Sequence, residues 1–145
     1  MPLASSVGVI ERKSMKVTST WKVTSARANY PMALDEPNHR VFLGCRRPAE
    51  VLVYDTTSGN ATGSFDIVGD TDDLFYDPGR QRLYVSGGDG FVDVFSAAPG
   101  APSSRLAHLP TAAGARTSLF VPELSRLYLV VPIVGVSGRR FGCTT

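Results

Sequence analysis

Cysteine, histidine and tryptophan are scarce in this chain, whose 145 residues include two cysteines, two histidines and one tryptophan. The cysteines, Cys45 and Cys143, lie far apart, with no CxxC spacing and no nearby histidine. That arrangement excludes the common zinc and dithiol motifs. We expect Cys45 to be a buried thiol, with a Cys45–Cys143 disulfide as the alternative. No metal site and no cofactor are predicted.

The chain also lacks an excess of one charge and lacks a long apolar run. Fifteen Lys and Arg oppose thirteen Asp and Glu, and this balance argues against nucleic acid as a partner. The longest apolar run, residues 127–136, contains a proline and is far shorter than the roughly 20 residues of a membrane span. No secretory signal is visible, because Glu11, Arg12 and Lys13 follow the first ten residues directly. The composition is that of a folded domain with its own core.

What the chain does contain is an internal repeat. Three segments align: MALDEPNHRVFLG from Met32, LFYDPGRQRLYVS from Leu74 and LFVPELSRLYLVV from Leu119. Their arginines, Arg40, Arg82 and Arg126, are spaced by 42 and 44 residues. A period of about 40–45 residues is typical of a four-stranded β-propeller blade. The repeat therefore predicts an all-β fold, a partial propeller of about three four-stranded antiparallel blades.

One unit of the repeat predicts four short strands, at residues 31–35, 40–44, 51–55 and 61–68, joined by turns rich in Pro, Gly and Asn. Extended along the chain, it gives five segments: the end of a preceding blade (1–28), two blade repeats (29–71 and 72–115), a partial blade (116–136) and an irregular tail (137–145). A closed propeller has about four to eight blades. We therefore expect either further blades in a longer polypeptide, which we favour, or closure by self-association of identical arcs.

Four stretches together resemble the bacterial YncE-like, YVTN-type β-propeller proteins: NYPMALDE (29–36), VGDTDDLFYDP (68–78), RLYVSGGDGFVDVF (82–95) and GARTSLFVPELSRLYL (114–129). The resemblance covers about residues 7–132 and implies a seven-bladed propeller without an established catalytic activity, of which this chain holds the later blades. It also implies export to the periplasm or the cell surface.

The loops before the first strand of each blade and between its second and third strands share one face of a propeller, at the mouth of the central channel. Six residues there are candidates for binding a ligand: Tyr30, Arg46, Asp72, Asp73, Asp89 and Arg116. The repeat makes Tyr30, Asp72 and Arg116 equivalent. An ion pair between Asp72 and Arg116 in adjacent blades is the favoured interpretation, and a clamp for a polar ligand is the alternative.

Other motifs at this face carry less information. The DTDD run at residues 70–73 lacks the spacing of a calcium loop, and GGDG at 87–90 lacks the helix that a phosphate loop needs. Both are expected to be strand connections. His39 falls in a turn and His108 in an outer strand, neither with an obvious catalytic neighbour.

The favoured function is a binding or interaction scaffold whose mouth loops recognise a protein or a small polar ligand. The alternative is part of a propeller enzyme, oxidoreductase-like or hydrolytic, with a polar or metal site at the same mouth. No catalytic residue is predicted, and the sequence favours a function other than catalysis.

Overall fold

A computed structural model describes residues 6–133, with backbone alone at residues 29 and 30. It contains twelve strands and two short 3-10 turns. The strands are β1 (Ser6–Glu11), β2 (Lys16–Lys22), β3 (Arg27–Asp35), β4 (Arg40–Arg47), β5 (Ala49–Asp55), β6 (Ala61–Asp66), β7 (Thr71–Asp77), β8 (Arg82–Gly87), β9 (Phe91–Ser96), β10 (Ser104–Pro110), β11 (Ser118–Val121) and β12 (Arg126–Leu129). The 3-10 turns, Glu36–Asn38 and Pro122–Leu124, precede β4 and β12.

The strands form two complete four-stranded sheets and two hairpins, all antiparallel. The complete sheets are β3-β4-β5-β6 and β7-β8-β9-β10, each in sequence order, as in a propeller blade. The hairpins are β1-β2 and β11-β12. The first strands of the two complete sheets, β3 and β7, contact each other and form the inner edge of the arc. This confirms the predicted all-β, partial-propeller architecture.

The turn between the first and second strands of a blade recurs with the same backbone geometry. In the first sheet His39 adopts a left-handed conformation (φ 52°) and its amide donates to the carbonyl of Glu36. In the β11-β12 hairpin Ser125 does the same (φ 53°), donating to Pro122. The β11-β12 hairpin is therefore the first half of a blade.

The turn between the third and fourth strands recurs as well. The amide of Gly59 donates to the carbonyl of Asp55 over 2.8 Å, and the amide of Met15 donates to Glu11 over the same distance. Both turn residues have positive φ, 72° at Gly59 and 54° at Met15. The β1-β2 hairpin is therefore the second half of a blade.

The core lies between neighbouring blades rather than within one sheet. Between the two complete sheets, a cluster centred on Phe42, Val51, Leu74, Leu83 and Phe95 is almost wholly buried. A second cluster packs the β1-β2 hairpin on the first complete sheet through Val7, Val23, Leu43, Leu52 and Tyr54, among others. Each complete sheet is therefore stabilised by packing against its neighbour.

Candidate functional site

Four loops meet at the inner end of the arc. They connect β4 to β5, β6 to β7, β8 to β9 and β10 to β11. Backbone hydrogen bonds join three of these loops in series: Gly88 donates to Asp70 over 2.9 Å, and Gly114 donates to Gly88 over 2.7 Å. The loops are thus one continuous surface, as the repeat predicted for the channel mouth.

Two arginines and two aspartates from these loops form one ion-paired group, the mouth cluster: Arg46, Asp70, Asp72 and Arg116. Arg116 Nε lies 2.7 Å from Asp72 Oδ2, which is the predicted ion pair between adjacent blades. Arg46 Nη1 lies 3.3 Å from Asp70 Oδ1. The remaining contacts are Arg46 with Asp72 and Arg116 with Asp70. Each aspartate therefore bridges both arginines.

Contacts with the surrounding backbone help to hold the mouth cluster in place. Arg46 Nε donates to the carbonyl of Thr71 over 2.9 Å, which fixes the guanidinium against β7. Asp70 adopts a left-handed conformation, which aspartate tolerates better than most residues. The side chains of the four members are between 25% and 41% exposed. The cluster is therefore ordered by protein contacts and still open to solvent.

Charge pairing affects protonation at this site. The hydrogen bond that Arg116 donates to Asp70, together with the charges of Asp70 and Asp72, raises the pKa of Arg116 above its ordinary value. The guanidinium is thus permanently cationic, as expected for arginine. The mouth presents two fixed positive and two acidic groups within one small area, a pattern that can engage a partner carrying both charges.

Asp73 lies beside the mouth cluster and has a structural role. Its Oδ2 accepts the backbone amide of Ser118 at 2.5 Å, so it anchors the start of β11. Ser86 completes this anchor: its hydroxyl donates to the carbonyl of Arg116 over 2.7 Å and lies 2.9 Å from the Ser118 hydroxyl. Asp73 thus positions the loop that presents Arg116.

The remaining two predicted site residues stand apart from this group. Asp89 is exposed, and its carboxylate lies directly against the Cα of Gly69, where a Cβ would collide with it. Tyr30 lies in β3, but its side chain is outside the described part of the structure. The structure therefore brings together Arg46, Asp72 and Arg116, with Asp73 adjoining them. Asp70, noted within the DTDD run and left out of the six candidates, is a full member of the group.

A second polar group joins β9 and β10, the two outer strands of the second sheet. It was not predicted from the sequence. Asp93, in β9, is fully buried and accepts the backbone amide of Val68 at 2.7 Å. Its other contacts are His108 Nδ1 at 2.5 Å and Arg105 Nη2 at 3.2 Å, both in β10. His108, expected to lack an obvious catalytic neighbour, thus contacts a buried carboxylate in the adjacent strand. A single clue was present: Asp93 stands at an inward position of an otherwise apolar strand, where the repeat aligns it with Leu52.

Cys45 is a buried thiol, as expected. Burial, together with the nearby Glu50 carboxylate, raises its pKa to about 11. The alternative, a Cys45–Cys143 disulfide, involves Cys143, which lies outside the described residues. Glu50 is itself buried, and within residues 6–133 its Oε1 has no hydrogen-bond partner.

Between residues 6 and 133 no three His, Cys, Asp or Glu side chains gather in a way that could hold a metal ion. Over the same range no helix is long and apolar enough to cross a membrane.

Comparison with known proteins gives a fold and no family. No family model matches the chain. No curated protein matches it. Among solved structures, hydrazine synthase of Kuenenia stuttgartiensis superposes with a TM-score of 0.77 at 16% identity, over 90% of this chain and 37% of that one. Sqt1 of Saccharomyces cerevisiae gives 0.66 at 16% identity, over 92% of this chain and 33% of that one.

A gluconolactonase of Xanthomonas campestris is also similar, with a TM-score of 0.55 at 17% identity over 77% of this chain and 37% of that one. These structures are β-propellers, and this chain spans about a third of the length of each. At such low identity the likeness establishes the fold alone. The chain is thus an arc of β-propeller blades.

Proposed function

We propose that this chain is a binding scaffold of the YncE-like, YVTN type, exported to the periplasm or cell surface, which recognises a protein partner at the channel mouth. The family assignment rests on the four sequence stretches described above. Export follows from that assignment alone. The mouth cluster carries the functional part of the proposal.

The carrying observation is that four charged side chains from adjacent blades converge in a fixed arrangement and remain partly open to solvent. A partner segment with one acidic and one basic side chain can exchange with these pairs, its carboxylate reaching Arg116 and its ammonium reaching Asp72. Because the arginines are already ordered, such binding costs little side-chain entropy. Charge complementarity of this kind confers specificity and faster association.

The test uses a short peptide of alternating Glu and Lys as the probe, with a Gln-only peptide of equal length as its control. We expect the charged peptide alone to shift the amide NMR signals of Gly69, Gly88 and Gly114, which border the mouth cluster. Asp72→Ala should abolish these shifts. Asp66→Ala, which removes an exposed aspartate from the outer strand β6, should leave them unchanged.

If Asp72→Ala lowers Tm by a few degrees and no peptide shifts the loop signals, the mouth cluster is a structural ion-pair network. The binding proposal would then be wrong at this face.

The second candidate function is an enzymatic site at the same mouth, since hydrazine synthase and the gluconolactonase are enzymes by name. An oxidoreductase-like or hydrolytic site there would hold a cofactor or a metal at the mouth through Asp72, Asp73 and Arg116. Titration with Ca²⁺ and Mg²⁺ by calorimetry distinguishes the two functions. Saturable binding that is lost in Asp72→Asn would favour the enzyme, and no binding would leave the scaffold.

A further inference from the structure

A groove of about 460 Å³ lies between the end of β2 and the turn that joins β5 to β6. It is lined by described residues of two adjacent blades, and no member of the mouth cluster is among them. Its volume falls within the range of about 300–1,000 Å³ that is usual for small-ligand sites. The groove is therefore a second place on this arc where a ligand can bind.

One wall of the groove is the single tryptophan of the chain, Trp21. Its indole stacks on Tyr54 of the next blade, with ring centroids 5.9 Å apart and planes inclined by 13°. The Tyr54 hydroxyl donates to the carbonyl of Lys22 over 3.1 Å, which ties the same ring to β2. Gly59 lies against the indole edge, where a Cβ would collide with Trp21 Nε1. The indole is thus fixed by its neighbours and still partly exposed.

Three hydrogen-bond donors in the groove have no partner within residues 6–133. They are the indole N–H of Trp21, the side-chain amide of Asn60 and the ammonium group of Lys22. Asn60 is held by its backbone, whose carbonyl accepts the amide of Asp55 over 2.9 Å. Serine and threonine side chains complete the polar lining, in which Lys22 is the single charged residue among those described. The groove therefore offers an aromatic surface, several donors and one positive charge.

This combination matches the chemistry of a sugar ring. The C–H groups on one face of a pyranose are attracted to the negative face of an aromatic ring, and its hydroxyl oxygens accept hydrogen bonds from N–H donors. An acidic sugar adds a carboxylate, which pairs best with a cation that has no other partner. We propose that the groove binds a glycan containing uronic acid. Its ring packs on Trp21, its hydroxyls accept from Asn60 and its carboxylate pairs with Lys22.

A related groove of about 430 Å³ recurs between the two complete sheets. Phe65 lines it at the position aligned with Trp21, and packs on Phe95 of the next blade with ring centroids 4.7 Å apart. Its single charged residue among those described is Arg40, which is already ion-paired with Asp35 and so offers the weaker charge. Two sites of one kind on an arc suit a ligand built of repeated sugar units, because linked contacts add avidity.

The experiment is a fluorescence titration of the 145-residue chain, in which the signal of the single tryptophan reports on this groove. We expect trigalacturonate to change the fluorescence saturably, and neutral maltotriose to bind about tenfold more weakly, as for the loss of one charge-assisted hydrogen bond. Lys22→Ala should remove the difference between the two sugars. Lys16→Ala is the matched control, because it removes an exposed lysine of the same strand that does not line the groove.

A second variant, Asn60→Ala, should weaken trigalacturonate binding by about three- to tenfold. Asn60 and Lys22 are both exposed, so each variant should keep the Tm of the wild type. Asp72→Ala should leave sugar binding unchanged, which separates this groove from the mouth cluster. The proposal is overturned if neither sugar changes the fluorescence saturably. It is also overturned if trigalacturonate binds equally well to the wild type, Lys22→Ala and Asn60→Ala.

Discussion

The buried carboxylate of Asp93 lies directly opposite His108 across the β9-β10 ladder, with His108 Nδ1 2.5 Å from its Oδ1. The imidazole stacks on Phe91 at a centroid distance of 3.9 Å, so it is held on two sides. The other Asp93 oxygen accepts the amide of Val68, in the loop from the preceding blade. This one side chain therefore ties the outer strand of its own sheet to the neighbouring blade.

Removing the Asp93 carboxylate should be costly because it leaves a buried amide without an acceptor. We expect Asp93→Ala to lower the free energy of unfolding by roughly 2–4 kcal/mol. Asp93→Asn should cost less, since its amide oxygen can still accept from Val68. Urea unfolding of both variants tests the order, and equal losses would contradict this role for the hydrogen bond.

Gly87 is a position where backbone approach, rather than conformation, requires glycine. A Cβ there would lie 2.5 Å from the carbonyl oxygen of Gly69 and 2.6 Å from Val68 methyl carbons. We expect Gly87→Ala to destabilise the protein by roughly 1–3 kcal/mol. Gly63→Ala is the matched control, because nothing lies within 4 Å of its Cβ and alanine should be neutral or slightly stabilising. Similar thermal midpoints for the two variants would rule out the steric reason.

Asp35 should make stability fall in acid. Burial alone would raise its pKa, but hydrogen bonds from Asn38 and Arg40 and the Arg40 charge outweigh burial and hold the pKa below its ordinary value of 3.8. Its contribution is therefore complete above that value and is lost as the pH falls through the lower folded-state pKa.

The measurement is the free energy of unfolding between about pH 5 and pH 2 for the wild type and for Asp35→Asn. The difference between the two should shrink as the pH falls below 3.8. A charge control is Asp66→Asn, at an exposed residue of β6. A difference that stays constant with pH would show that Asp35 is not titrating as described.

Cys45 should be inert in the folded protein. Its thiol is buried and its pKa is raised to about 11, so very little thiolate exists near neutral pH. In a Cys143→Ser chain, a thiol reagent at about pH 8 should label Cys45 only after denaturant is added. Rapid labelling without denaturant would mean that the β1-β2 hairpin opens readily from the first sheet.

Much of the architecture was predictable because the repeat carries its own register. Arg40, Arg82 and Arg126 each begin the second strand of a blade, and the spacing between them is the length of a blade. The ion pair of Asp72 with Arg116 followed from the same offset. Repeated backbone positions are thus accessible to sequence reasoning.

What could not be predicted depends on details that the period does not contain. The left-handed backbone of Asp70 recurs at the aligned Ala28 and Gly114, so the repeat carries this conformation, but it does not carry the carboxylate that joins the mouth cluster. Asp93 meets His108 because β10 is irregular between Arg105 and Ala107, which sets the facing residues beyond the irregularity. Single-residue shifts of this kind decide which side chains touch.

The pairing of Asp93 with the preceding loop also restricts how this protein can evolve by duplicating or reshuffling its modules. At the aligned position of the first sheet stands Leu52, which packs among Val7, Val23 and Tyr54. Moving the second module into the first place would set a carboxylate against those apolar side chains, and the reverse exchange would deprive the Val68 amide of its acceptor. The modules have the same backbone fold, but the side chains of each fit its own neighbour. The contacts between modules therefore fix their order along the chain.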